Sequence, residues 1–206
     1  MSSVSAIALA SNPTLDPDDP HYRWTDEGIV VRSHRGDNFN AIDPAVIRTD
    51  DGQLWMTFGS FWSGIQLIQL DPQTGLRLDG DKTMRTIAST KEIEAPHLYQ
   101  HDGWYYLRVN WGKCCRGVES TYNIRVGRSR TITSPYLDQE GVDLAQGGGT
   151  LLLETNAPFI GPGHANILEQ GDDYISSAAT FTTAHSGNDR CWRSRSWCGA
   201  RVVGQR

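Results

Sequence analysis

Three stretches of this sequence recur at nearly one interval. SAIALASNPTLD, SGIQLIQLDPQTG and YNIRVGRSRTITSP align on their first isoleucines, Ile7, Ile65 and Ile124, which lie 58 and then 59 residues apart. Between them, Asp51-Gly52 and Asp102-Gly103 introduce the strand-forming runs LWMTF and WYYLRV. Asp-Gly between two such runs is the signature of a tight β-hairpin turn. QGDDYISSA, around Gly171, is a weaker third copy. A unit of about 60 residues with three or four strands is the size of one β-propeller blade. The expectation is an all-β chain holding about three blades, preceded by the last strand of another. The boundaries read as 1–39 for that strand and its connection, 40–92 and 93–160 for two blades, and 161–206 for a third, all within one domain.

A propeller packs its blades around a central channel, so the first residues of the inner strands meet at one end of it. The segments IDPAVI, IEAPHL and GHANIL stand at those positions. Asp43, Glu94 and His164 each lie nine residues before the turn residues Gly52, Gly103 and Asp173. Asp-Pro alone is an ordinary turn signal. Two carboxylates facing each other across a pocket are also the equipment of glycoside hydrolysis: one acid protonates the leaving oxygen, while another activates water or attacks. Burial and mutual repulsion keep one of such a pair protonated near neutral pH. Phe61 and Trp62, just after the strand that follows Asp43, could stack on sugar rings or pack between blades. By residue type alone, His164 reads as a structural histidine.

Composition narrows the alternatives. The chain of 206 residues is 38% hydrophobic with a net charge of −5, enough apolar material for a core and no basic footprint for nucleic acid. No apolar run approaches the ~18 residues of a membrane span. The start lacks the basic segment of a signal peptide, and its apolar stretch Ala6 to Ala10 is short. The four cysteines form no zinc-like CxxC pair, and the adjacent Cys114 and Cys115 are poorly placed to pair with each other.

NAIDPAVI, LWMTFGSFWSGIQLIQLDPQTG, EIEAPHL, CCRGVESTYNIRVGRSRTITSPY, GGGTLLLE and IGPGHANIL together resemble the arabinanases of glycoside hydrolase family 43. The resemblance implies a five-bladed β-propeller that hydrolyses α-1,5-linked L-arabinan with inversion, acting as a monomer and outside the cell. It implies that Glu94 is the general acid and that Asp43 orients it and tunes its pKa. It implies sugar contacts from Asn40, Ala41, Ile42 and Asp43 and from Ser60, Phe61 and Trp62. It also implies a calcium ion in the central channel facing His164, with water as its other ligands, since calcium prefers oxygen. Cys114 and Cys115 match a thiol pair near the cleft, and Glu119 reads as structural. No residue matches the family's general base; Asp16, Asp18 and Asp19 fall in a connection.

The last residues depart from the family. TFTTAHSGNDRCWRSRSWCGARVVGQR is rich in Arg, Trp and Cys and nearly free of aliphatic residues until Val202, which is poor core material. A shift of reading frame would explain it. The expectation is a partial propeller of marginal stability with weak or no hydrolysis. The alternatives are an exo-acting α-L-arabinofuranosidase or β-xylosidase of the same family, and a non-catalytic fragment that binds arabino-oligosaccharides.

Overall fold

The computed structural model describes residues 4–170 and 174–183. Among them are twelve strands, two short 3-10 turns and no α-helix. Two complete blades stand at the centre. Strands β3 (Ala45–Arg48), β4 (Leu54–Phe58), β5 (Ile65–Leu70) and β6 (Arg85–Ala88) form one four-stranded antiparallel meander. Strands β7 (Ile93–His101), β8 (Trp104–Trp111), β9 (Asn123–Ser129) and β10 (Thr150–Leu153) form the next. They are flanked by the pair β1 (Ser5–Ser11) and β2 (Thr25–Ser33), and by the pair β11 (Phe159–Gln170) and β12 (Tyr174–Thr183).

The turns follow from the Asp-Gly dipeptides. Asp102 and Gly103 both take positive φ, 50° and 69°, and join His101 directly to Trp104. That is the two-residue turn whose twist matches paired strands. At the earlier turn only Gly52 has positive φ, and Thr49 N–H donates to Gln53 O across a three-residue loop. The third turn, residues 171–173, and the aberrant segment from residue 184 lie outside the described residues.

Before residue 40 there are two strands where the sequence reading has one. β2 follows the Asp- and Pro-rich SNPTLDPDDPHYRW and carries Gly28 at a φ of 104° near a register shift. Its strand signal is therefore broken in sequence, although it pairs with β1 along its length. The last inner strand also begins two residues before 161, at Phe159.

Burial explains why the two central strands β4 and β5 are apolar on both faces. Along β4, Trp55 faces one core and Met56 and Phe58 the other; along β5, Ile65 and Leu67 face the first, Ile68 and Leu70 the second. A strand's side chains alternate between faces, so each set meets a different neighbour. Trp55, Ile65 and Leu67 pack against Ile93, Leu98, Leu107 and Val109 of the following blade. Met56, Phe58, Ile68 and Leu70 pack against Ile7, Val30 and Val31 of the β1–β2 pair. Each fully buried side chain of this kind contributes about 1.5–3 kcal/mol. The hydrophobic core thus lies between blades, and it sets neighbouring inner strands side by side.

Candidate active site

The inner strands β3, β7 and β11 are each preceded or interrupted by one left-handed non-glycine residue. Asp43, Ala95 and His164 have φ of 56°, 51° and 52°. This conformation is uncommon outside glycine and clusters at functional sites. The ladder slips between Glu94 and His97, and again between Gly163 and Asn166. The structural equivalents are therefore Asp43, Ala95 and His164. Glu94 stands one residue earlier than the spacing to the Asp-Gly turns suggests, because Pro44 and Pro96 follow equivalent kinks while the turns after them differ in length.

At and near two of these kinks, backbone N–H groups donate to side chains of neighbouring elements. Ala95 N–H donates to Asp43 Oδ2 at 3.2 Å. His164 N–H donates to Asn110 Oδ1 at 2.8 Å, and Ile167 N–H donates to His97 Nε2 at 3.2 Å. These bonds tie the starts of successive inner strands together at the position where the candidate chemistry sits.

The Glu94 carboxylate is held at both oxygens. Tyr122 OH donates to Oε1 at 2.6 Å, and Ser60 Oγ donates to Oε2 at 2.9 Å. Ser60 also bridges the Glu94 backbone, and Phe61 N–H donates to Ile93 O at 2.7 Å, so the loop after β4 is sewn to the start of β7. Burial raises the Asp43 pKa above the usual carboxylate range; His164 opposes this, the Glu94 charge adds to it, and the Ala95 N–H opposes it. The two carboxylates thus sense each other, and one is biased towards its neutral form. Burial, then the Glu94 carboxylate, pushes the Tyr122 phenol far upwards, so Tyr122 remains a proton donor.

The remaining sequence candidates occupy distinct places. Asn40 is buried and donates from Nδ2 to Ser60 O at 3.2 Å. Ala41 lies in the core against β4 and β5, and its N–H donates to Ser33 Oγ at 3.3 Å. Ile42 O accepts Gly59 N–H at 2.9 Å. These three support the loop that carries Ser60. Phe61 and Trp62 meet edge to face with centroids 6.4 Å apart, and Trp62 is 42% exposed. Cys114 is half-buried and Cys115 exposed, with Cys114 near enough to act on Tyr122 electrostatically. Glu119 is exposed in the 3-10 turn Gly117–Glu119.

A calcium ion would meet one imidazole, His164, which is exposed. Among the described residues no group of three or more His, Cys, Asp or Glu could hold a metal. Hard cations prefer oxygen donors, so an ion at His164 would take the rest of its shell from water.

Tyr122, Asn110 and His97 escape the sequence reading. Tyr122 lies within the motif CCRGVESTYNIRVGRS, but a tyrosine there has the same pattern as a core aromatic. His97 is half-buried, and its pKa falls to about 4, chiefly by desolvation and then by the Arg108 and His164 charges.

Residues 10–202 match the sequence profile of Glycosyl hydrolases family 43. An extracellular exo-alpha-(1->5)-L-arabinofuranosidase of Cellvibrio japonicus is 43% identical over 189 residues, covering 84% of this chain and 54% of that protein. An extracellular endo-alpha-(1->5)-L-arabinanase of Bacillus subtilis is 41% identical over 192 residues, covering 91% of this chain and 55% of that protein. The Cellvibrio cellulosa alpha-L-arabinanase complexed with arabinohexaose superposes with a TM-score of 0.78 at 40% identity, covering 85% of this chain and 60% of the other. The chain therefore spans little more than half the length of these relatives.

Proposed function

The chain belongs to glycosyl hydrolase family 43, and on that premise we propose that it carries the proton-donating half of an arabinan-hydrolysing site. Glu94 is the general acid. Its O–H bond breaks as the glycosidic C–O bond breaks, and the proton passes to the departing sugar oxygen. Asp43 holds the Ala95 backbone beside it and tunes its charge. The observation that carries this reading is the Glu94 carboxylate gripped by Tyr122 and Ser60 and electrostatically coupled to Asp43.

The substrate in this reading is α-1,5-linked L-arabinan, held against Trp62 and Phe61 outside the cell. Both relatives act on such linkages by name, one internally and one from the chain end. Endo action is the first reading, and the 43% identical exo-acting relative supports the second. The charged groups that shift Asp43 are His164 and Glu94. No residue is assigned as general base in this reading, and without one hydrolysis slows by about 10²–10⁴-fold. A calcium ion facing His164, with water completing its shell, belongs to the same reading.

The test is product analysis on linear α-1,5-arabinan alongside Glu94→Gln. Short oligosaccharides of mixed length support endo action, and arabinose alone supports exo action. Binding of arabinohexaose without turnover supports the sugar-binding alternative. Turnover undiminished in Glu94→Gln refutes the assignment of the acid.

A further inference from the structure

The two glycines of GPGH have a use apart from His164. A Cβ on Gly163 would lie 2.0 and 2.1 Å from Cδ1 and Cε1 of Tyr122, and 2.7 Å from Asn110 Nδ2. A Cβ on Gly161 would lie 2.7 Å from Ser120 Cβ and 3.5 Å from Tyr122 Cβ. The Tyr122 ring therefore lies against the bare backbone of β11, closer than any other residue at 163 permits. From that seat its hydroxyl reaches Glu94 Oε1 at 2.6 Å.

We propose that Gly163 and Tyr122 form a positioning device that fixes the Glu94 carboxyl and leaves Oε2, on the Ser60 side, as the oxygen that carries and delivers the proton. This deepens the assignment of Glu94 as acid and rests on it. A phenol has a single proton to give, and Tyr122 keeps it on Oε1 in both protonation states. Ser60 is a free rotor: its hydroxyl accepts from Oε2–H when the carboxyl is neutral and donates to Oε2 when it is ionised. Oε2 also lies on the side of the loop bearing Phe61 and Trp62. The titratable groups that face the pair are Asp43, with His164 beside it, and Cys114 next to Tyr122.

A charge-assisted bond favours the ionised carboxylate, so removing it has a defined direction. Carboxyl-labelled glutamate in the whole chain gives a titration of Glu94 by NMR, its resonance assigned by its loss in Glu94→Gln. Tyr122→Phe keeps the ring and removes the hydroxyl; the Glu94 midpoint should rise by about one pH unit. The φ of Gly163 is not in the left-handed region, so Gly163→Ala strains no backbone there and acts chiefly by displacing the Tyr122 ring, with a smaller push on the Asn110 amide. It should produce a similar rise, and the double variant should shift no further than Tyr122→Phe alone. Additive shifts overturn the coupling of Gly163 to Tyr122. An unmoved midpoint in Tyr122→Phe overturns the device altogether. If Gly163→Ala does not fold, Ser60→Ala replaces it, with a rise smaller than that of Tyr122→Phe expected, because the Tyr122 bond is the shorter. A larger rise than that overturns the assignment of Oε1. None of these readings needs turnover, so the Glu94 titration tests the positioning device, while turnover undiminished in Glu94→Gln overturns the assignment of the acid by itself.

Discussion

The backbone N–H of Ala95 donates to the carboxylate of Asp43 at 3.2 Å, joining the start of one inner strand to the kink of the next. Asp43 therefore has two duties that substitution can separate. One is to accept this bond. The other is to carry charge beside Glu94.

Asparagine keeps an acceptor and loses the charge, whereas alanine loses both. Leaving the Ala95 N–H without its acceptor costs about 1–3 kcal/mol, so urea unfolding at pH 7 should show Asp43→Ala less stable than wild type. The raised pKa of Asp43 means that the folded state prefers its neutral form. Its ionisation costs stability at neutral pH, and that cost disappears as pH falls towards the ordinary carboxylate range. Asp43→Asn should thus match or exceed wild type at pH 7 and lose that advantage in acid. An Asp43→Asn variant as weak as Asp43→Ala at pH 7 would sink the separation.

His97 makes the opposite demand. Its Nε2 must be unprotonated to accept Ile167 N–H, and its folded pKa of about 4 lies below the free value of 6.5. A lowered histidine pKa contributes stability that is complete above the free value and declines as pH falls through the folded one. Wild type should lose on the order of 2–3 kcal/mol between about pH 6.5 and 4 relative to His97→Gln. Parallel stability curves for the two proteins across that interval would contradict it.

Two aromatics on the same stretch should respond differently. Phe58 is fully buried between the β1–β2 pair and the first complete blade, edge to face with Phe39 at 6.0 Å. Phe58→Ala should cost about 3–5 kcal/mol of stability. Trp62, four residues on, is 42% exposed. Trp62→Ala should change stability by about 0.5 kcal/mol or less and weaken arabinohexaose binding roughly tenfold, as lost ring contact predicts. Calorimetry with arabinohexaose and thermal melts of both variants check the pair. A large loss of stability in Trp62→Ala would make it a packing residue.

The strand plan was legible because it rests on local patterns. Asp102-Gly103 between strand formers becomes a two-residue turn, and LWMTF and IQLIQL become strands apolar on both faces because each lies between two neighbours. β2 was not legible, since Pro and Asp residues precede it and a glycine breaks its alternation. Counting back from the turns placed Glu94 level with Asp43. The backbone places Ala95 there, because a hairpin loop can change length without moving the kink at the far end of its strand.

By itself the sequence determined a repeated antiparallel unit, the side-chain alternation that sandwiches each blade, and the residue types available for acid chemistry. Those depend on neighbours a few residues apart and on the pattern's period. Only the tertiary structure decided which groups serve Glu94. Ser60 lies 34 positions before it and Tyr122 lies 28 after it, while Gly163 makes room for Tyr122 from a different sheet. Such contacts are created when apolar faces of separate blades close on one another. None of the three carries a mark of that meeting in its own stretch of chain.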